Sequence, residues 1–375
     1  MNFGFDEEQE LLRHEVRKFL DERCPLEMVR QLAQTPSGYS PELWKQLGEL
    51  GWLGLILPEE YGGGGLGWVD LTVLLEEVGR SLFPGPLVST LLAGAAIADG
   101  GSATQRSRWL PGLADGSRIG TLAFFDATSH FGPEGIALRA DSDGDEYVIT
   151  GEMVSVPDVA EASLFIVAFR TTAAGDGVTL AVIEADSPGV AATTNPGIDA
   201  TKRFGTLRLE AVRVASDSVL GEPDAGWNLA ATSLDRGAAA CTAEIIGAAE
   251  ALTAITVQYA KDRVQFGNPI GHYQGVKHPL AEAYLDCECM KSLAYYAAWT
   301  LEENPEEAAA AVSKAKGFAS EAFTRIGVTG IQLHGAVGYT EEYDCQLYLK
   351  RSKWARPAYG DEGYHYERVA TLGGV

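Results

Sequence analysis

Three short segments of this 375-residue chain hold side chains whose types and spacing suit chemistry. The first is Arg263-Val264-Gln265-Phe266-Gly267-Asn268-Pro269-Ile270, followed by His272-Tyr273-Gln274. Arg263 ends a long helical pattern, where a guanidinium can pair bidentately with a phosphate. Phe266 adds an aromatic face and Gln274 an amide fork. An isolated Arg there would only complement the helix dipole. The second segment, Gln332-Leu333-His334-Gly335-Ala336-Val337-Gly338-Tyr339, follows a helical pattern and is rich in small residues. Backbone can approach a ligand closely at such a loop, and Gln332 can hydrogen-bond it. Together the two suggest a nucleotide-like cofactor with a diphosphate. In the third, Ala238–Ala248, Glu244 is the sole charge. A carboxylate among small and apolar residues is costly to bury unless a ligand uses it.

Other chemistries are excluded. The chain has no Walker loop, no Rossmann fingerprint, no His-Glu-x-x-His and no Gly-x-Ser-x-Gly. Gly62–Gly65 lacks the Lys-Ser/Thr of a phosphate loop and reads as a turn. Cys24, Cys241, Cys287, Cys289 and Cys345 are odd in number and scattered, which argues against a disulfide framework. Cys287-Glu288-Cys289 lacks zinc-site spacing, so no metal is expected. His334 reads as a packed loop residue, and His272 and His278 as residues around the cofactor loop. Tyr284, Tyr295, Tyr296 and Trp299 read as helix packing. Lys+Arg 29 against Asp+Glu 52 gives a net charge of −23, which opposes binding to nucleic acid or anionic lipid. No run approaches the ~18 apolar residues of a membrane span. The N-terminus has no basic start before an apolar stretch, so a reduced, cytoplasmic protein is expected.

The elements that must position these residues fall into three zones. Residues 1–117 show helical spacing. Asp6 precedes Glu7–Leu20, Ser40-Pro41 looks like an N-cap followed by Pro, and Val69–Leu82 resumes helix periodicity. Residues 118–224 contain short β-rich runs: Thr121–Phe125, Tyr147–Thr150, Leu164–Phe169, Val178–Ile183 and Thr206–Leu209. With no helical crossovers between them, an antiparallel sheet or small barrel is expected. Residues 225–375 return to long helices, at Leu229–Lys261, His278–Glu303, Pro305–Ile331 and Glu341–Lys353. The fold class is α+β: a helical domain, a central antiparallel β domain and a C-terminal four-helix bundle.

These residues resemble the acyl-CoA dehydrogenases along nearly the whole chain. The likeness rests on Phe5-Asp6-Glu7-Glu8-Gln9, Leu50-Gly51-Trp52-Leu53-Gly54, Pro58-Glu59-Glu60-Tyr61-Gly62-Gly63 and Leu75-Glu76-Glu77-Val78-Gly79-Arg80. Arg263-x-x-Phe266-Gly267, Gln274 and the loop from Gln332 to Gly338 extend it. The resemblance implies FAD, an acyl-CoA substrate and α,β-desaturation of its thioester, with electron-transfer flavoprotein as acceptor. It also implies a tetramer in which Arg263, Phe266, Gln274, Gln332, Gly335 and Gly338 hold the FAD of a neighbouring subunit. Asp235 and Arg236 lie where the family contacts the acyl-CoA.

The family reaction needs a carboxylate base, which works where apolar surroundings bring its pKa toward the working pH. The family keeps that Glu either in a Tyr-Glu-Gly-Thr segment near the C-terminus or on the first long helix of the last domain. Here the first place reads Tyr359-Gly360-Asp361-Glu362-Gly363-Tyr364-His365. Anchoring on Tyr359 puts Gly360 at the base position; anchoring on Arg368 puts Asp361 there. The second place falls on Gly237, counting back from Arg263. Glu244 follows seven residues later, nearly two helical turns, on the same side and about 10 Å along the axis. A subset of actinobacterial acyl-CoA dehydrogenases, associated with steroid side-chain degradation in two-gene heterotetramers, resembles this chain at that helix. It is also similar in Tyr348-Leu349-Lys350-Arg351, Gly360-Asp361 and Tyr364-His365. The resemblance makes Glu244 the expected base, with Asp361 as the fallback. Glu250 faces elsewhere.

The flavin-facing β segments depart from the family. Its Thr-Glu-Pro-Gly-x-Gly-Ser falls on Phe125–Phe131 and its Trp-Ile-Thr on Ser155-Val156-Pro157. Most of the hydroxyls are gone, Pro157 has no N–H to donate, and Thr128 and Ser129 are the partial replacements. Two readings follow. The chain is either the base-bearing subunit of a site shared with a second chain (α2β2, or itself as a homotetramer), or a degenerate partner that stabilises an active sister. A flavin-free assembly protein lies outside that class, and an oxidase on the same fold lies within it.

Overall fold

The computed structural model describes residues 5–126, 131–171 and 177–374. The first helices are α1 (Glu7–Arg23), α2 (Leu26–Ala33), α3 (Pro41–Glu49), α4 (Trp68–Arg80), α5 (Leu87–Gly100) and α6 (Ala103–Ala114). Eight strands follow: β1 (Gly120–Ala123), β2 (Ala140–Asp143), β3 (Glu146–Pro157), β4 (Leu164–Phe169), β5 (Thr179–Glu184), β6 (Val190–Asn195), β7 (Phe204–Ala215) and β8 (Val219–Leu220). Then come α7 (Trp227–Asp262), the two-residue strands β9 (Val264–Gln265) and β10 (Asn268–Pro269), α8 (Gln274–Glu303), α9 (Pro305–His334), α10 (Cys345–Ala355) and α11 (Glu362–Leu372). Two compact units result. One comprises Met1–Gln31, Trp68–Phe83 and Ala238–Val375; the other comprises Leu32–Gly67 and Pro84–Gly237.

Caps explain where the helices start. The Asp6 carboxylate accepts from the Gln9 N–H and the Gln9 side chain answers the Asp6 N–H, a reciprocal capping box. Ser40 Oγ accepts from the Leu43 N–H, and Pro41 follows at the first helical position.

The second unit holds two four-stranded sheets, ordered β1-β4-β5-β8 and β2-β3-β7-β6. β4 is buried along its whole length, and β5 is buried from Thr179 to Ile183. Their near-continuous apolar runs fit strands covered on both faces. β7 alternates instead, burying Leu207 and Leu209 and then Val212 and Val214. A register shift opposite Ile149/Gly151, with Ala211 at φ +50, supplies the extra residue that changes the phase. Among the described strands, β1 departs from the antiparallel expectation: it runs parallel to β4, with Gly120 opposite Leu164.

The first unit gathers α1, α4, the segment of α7 from Ala238, and α8–α11. Its core includes Ala238, Ala239, Ala297, Ala311, Val312 and Ala315. α4 and α7 touch backbone to backbone. A Cβ on Gly79 would sit 2.0 Å from the Glu244 carbonyl oxygen, and one on Gly247 would sit 1.7 Å from that of Glu76. The expectation that no segment could cross a membrane needs correcting, because α7 is long and apolar enough by length and composition alone. However, 78% of its most apolar window is buried inside the protein, which makes α7 a core helix. The aromatic set on α8 divides as well. Tyr295 packs inward, its hydroxyl receiving a hydrogen bond from Arg13 at 2.9 Å, whereas Tyr284, Tyr296 and Trp299 stand exposed.

Candidate active site

Glu244 lies in the most enclosed stretch of α7. Every residue from Ala238 to Ala249 is buried, and Glu244 is 3% exposed. On one side the Gly79 and Gly247 contacts lock this stretch to α4. On another, the chain after α10 lies along it: Tyr359 packs against the cluster containing Ala238 and Ala239, and Cys241 Sγ meets the Ala355 carbonyl at 3.8 Å. These contacts fix the backbone that carries Glu244, which limits where its carboxylate can go, as a proton acceptor requires.

The other carboxylates are occupied differently. Asp361 is exposed and caps α11, accepting from the Tyr364 N–H at 2.9 Å. Gly360, at φ +101, could not hold a side chain: a Cβ there would lie 2.4 Å from Tyr364 Cδ1 and 2.9 Å from His365 Nε2. Glu250 forms an ion pair with Lys291. In the other unit Asp235 is 9% exposed, and the Arg236 guanidinium is ion-paired with Asp99 of α5.

The cofactor candidates assemble where α7, α8 and α9 end or begin. Phe266 and Gly267 form a two-residue turn between β9 and β10, with φ +53 and +82, the positive values a type I′ hairpin needs. A bulky side chain rarely adopts that conformation, yet Phe266 holds it with its ring 91% exposed. Arg263 is exposed beside it, and Gln274 is exposed as the first residue of α8. Gln332 lies inside the last turn of α9 rather than in the loop after it, and Gly335 ends that helix at φ +65. Gly338 is buried, where a Cβ would meet His334 Cβ at 2.9 Å, so its role is to fold the turn onto the helix. What joins the two segments is Tyr259, one turn before Arg263. Its ring stacks on His334 at 4.3 Å and its hydroxyl reaches the His334 carbonyl at 3.4 Å. His334 is packed as expected, with Nδ1 2.7 Å from the Gly330 carbonyl. The sequence alone does not single out Tyr259, because an aromatic three residues before a helix end reads as ordinary packing.

Of the flavin-facing β segments, residues 127–130, with Thr128 and Ser129, lie outside the described residues. Beside them, the Phe125 carbonyl accepts from the Val154 N–H and its ring meets Phe131 edge-on at 5.3 Å. The Pro157 carbonyl accepts from Thr121 Oγ1 at 2.7 Å.

Residues 6–117 match the acyl-CoA dehydrogenase N-terminal domain and 224–372 the C-terminal domain. The chain is 35% identical to the acyl-CoA dehydrogenase IpdE2 of Mycolicibacterium smegmatis, over 92% of each protein. It belongs to the acyl-CoA dehydrogenase family. Among solved structures it is similar to a variant of the Tcur3481–Tcur3483 steroid ACAD (31% identity, TM-score 0.88, 98% of each chain). It is also similar to the ChsE4–ChsE5 complex of Mycobacterium tuberculosis (26% identity, TM-score 0.91, 100% of this chain and 99% of that one).

As an acyl-CoA dehydrogenase the chain is an oxidoreductase whose cofactor is FAD. The donors present fit it. An exposed guanidinium, two exposed primary amides and an outward aromatic ring form a rim suited to a dinucleotide's diphosphate and flat rings.

Proposed function

We propose that this chain is the base-bearing subunit of a dehydrogenase that desaturates a bulky acyl-CoA, such as a sterol side-chain thioester, in the cytoplasm. The proposed assembly pairs it with a second, related chain in an α2β2 arrangement, with electron-transfer flavoprotein as the acceptor. The observation that carries this reading is the burial of Glu244 in a wholly buried stretch, while Asp361 is exposed as a helix cap and Gly360 has no room for a side chain. The steroid ACAD and the two-component ChsE4–ChsE5 complex among the similar structures support the substrate class and the paired chains.

In this mechanism Glu244 takes the proton from the carbon α to the thioester carbonyl, and the electron pair of that C–H bond forms the new double bond. The hydrogen on the β carbon departs with its electrons as hydride. Bound FAD supplies the hydride acceptor. Arg263, Gln274, Gln332 and the backbone around Gly335 would hold the cofactor, and Phe266 would offer it an aromatic face. Asp235 and Arg236, the latter oriented by Asp99, contact the acyl-CoA.

Glu244→Gln keeps shape and hydrogen bonding but cannot take a proton. The variant is expected to retain bound flavin and lose about 10²-fold or more in turnover, the usual contribution of a positioned base. Turnover at the wild-type level would remove Glu244 from the mechanism. A substrate panel measured alongside tests the acyl group, and a clear preference for short straight chains would defeat the sterol assignment.

The second reading, a non-catalytic partner that stabilises an active sister chain, is favoured by one observation. At the segment facing the flavin, Pro157 has no N–H and its carbonyl is already taken by Thr121.

A further inference from the structure

α9 buries an ammonium. Lys316 is 0% exposed, and its Nζ donates to Ser320 Oγ at 2.8 Å, the Gly360 carbonyl at 2.9 Å and the Arg356 carbonyl at 3.1 Å. All three acceptors are neutral. Taking an ammonium out of water for neutral acceptors is expensive, and an apolar side chain of the same length would fill the space at lower cost. What it could not supply is three convergent N–H donors, so the acceptors explain the lysine.

Two of those acceptors belong to a strained turn. Tyr359 and Gly360 are consecutive left-handed residues, at φ +56 and +101, and Tyr359 is bulky. Strained backbone persists where its surroundings over-determine it, and such places concentrate at functional sites. Here the over-determination is visible. Lys316 takes the carbonyls of Arg356 and Gly360, and His365, also 0% exposed, has Nε2 3.0 Å from that of Tyr359. A carbonyl only accepts, so Nε2 carries the proton and donates. The turn also meets α7, the Ala355 carbonyl lying 3.8 Å from Cys241 Sγ, and Tyr359 packs against the apolar cluster that α7 shares with α8 and α9. Cys241 lies three residues before Glu244, about one helical turn.

We propose that Lys316 is a positioning residue for the acyl site, its buried ammonium fixing the Ala355–Gly360 turn against α7 so that the space in front of Glu244 keeps one shape. This rests on the reading of Glu244 as base. Lys316 does not touch the reacting atoms; it acts through the turn. Released from the ammonium, the Arg356 and Gly360 carbonyls would seek other donors and the turn would leave its left-handed conformation, taking the wall of the site with it.

The test uses the full chain purified with its partner, with cholanoyl-CoA as the probe. Lys316→Met is expected to keep bound flavin within about twofold of wild type while turnover per flavin falls about tenfold or more, because loosened positioning is paid in kcat. Turnover per flavin within about twofold of wild type would overturn the proposal, whatever the melting temperature, since a merely structural lysine affects only how much protein is folded. If Lys316→Met does not fold, Ser320→Ala removes one acceptor and is expected to cost about threefold in turnover per flavin; no change there overturns the proposal equally. A second readout does not depend on the base. In a Glu244→Gln background, cholanoyl-CoA should perturb the flavin spectrum, and adding Lys316→Met should weaken that perturbation about tenfold in probe concentration. A full perturbation with Lys316→Met would also overturn the proposal. If Glu244→Gln alone keeps its turnover, the base assignment fails and the spectral comparison still decides the role of Lys316.

Discussion

A charged or ionisable side chain inside a helical bundle must find partners or change protonation, and the first unit holds examples of both. Lys316 finds three neutral acceptors. Glu76 sits 2.9 Å from the Arg13 guanidinium, yet burial still pushes its carboxyl up to about 7. His365 changes protonation most. Burial first, and the Lys316 charge next, push its imidazole down to about 3 from an ordinary 6.5. The unfolded chain therefore binds a proton below 6.5 that the folded chain refuses, so the stability from a neutral His365 is whole above that pH and is lost as pH falls toward 3. At pH 5 the difference from 6.5 corresponds to about 2 kcal/mol. His365→Gln keeps an N–H for the Tyr359 carbonyl and removes the titration. Urea unfolding at pH 7 and pH 5 should show wild type losing about 2 kcal/mol more than the variant. Glu76 works in the opposite sense, gaining stability as pH falls below about 7, but it is present in both proteins and cancels. Equal losses would show that His365 is protonated in the folded chain.

At the scale of elements, what could be read from the sequence was whatever is encoded locally. The Asp6 and Ser40-Pro41 starts, β4, β5 and the long helices α7 and α9 follow from caps and apolar runs that a short window contains. β2 (Ala-Asp-Ser-Asp) and β6 (Val-Ala-Ala-Thr-Thr-Asn) gave no signal, because they are edge strands whose exposed polar residues need only the backbone of β3 and β7. α11 was missed for a related reason, as His365 is its only buried residue. The parallel β1–β4 pairing depends on partners some forty residues apart, which no local pattern specifies. At the site, Arg263, Gln274 and Gln332 were legible by residue type, whereas Tyr259 and Lys316 matter through contacts with distant carbonyls. The α4–α7 crossing is the element-level feature most open to test. Gly79 and Gly247 are helical and need no unusual backbone; they are needed because each faces a carbonyl too close for any Cβ. Gly247→Ala should therefore destabilise by about 3 kcal/mol or more, beyond the usual cost of one extra methyl, although alanine is the better helix former by nearly 1 kcal/mol. Chemical denaturation gives the number, and a neutral or stabilising result would mean that the two helices separate without penalty.

For the whole molecule, the question is what completes the cofactor site. The rim on the first unit turns outward: Phe266 is 91% exposed, Tyr339 68%, Val264 53% and Val337 43%, beside the exposed Arg263. Apolar side chains gathered around a cation at the surface mark a face built to be covered. On the second unit, the described residues of the family's flavin-contacting segments offer Phe125, Phe131 and Pro157 in place of hydroxyls. A chain with an outward cofactor rim and few flavin-facing donors of its own should hold flavin poorly by itself. Purified alone, it is expected to show a small fraction of one flavin per chain by visible absorbance. Produced together with a second acyl-CoA dehydrogenase chain that completes the proposed α2β2 assembly, it should co-purify with that chain and with flavin at full occupancy, and Arg263→Ala should strip the flavin without dissociating the pair. Full occupancy in the chain alone would instead mean a homotetramer whose backbone amides replace the missing hydroxyls. The same pair then separates the two functional readings. If Glu244→Gln abolishes turnover in the flavin-loaded complex, this chain supplies the base. If turnover survives there, the sister chain does the chemistry and this one supplies the rim that holds its cofactor.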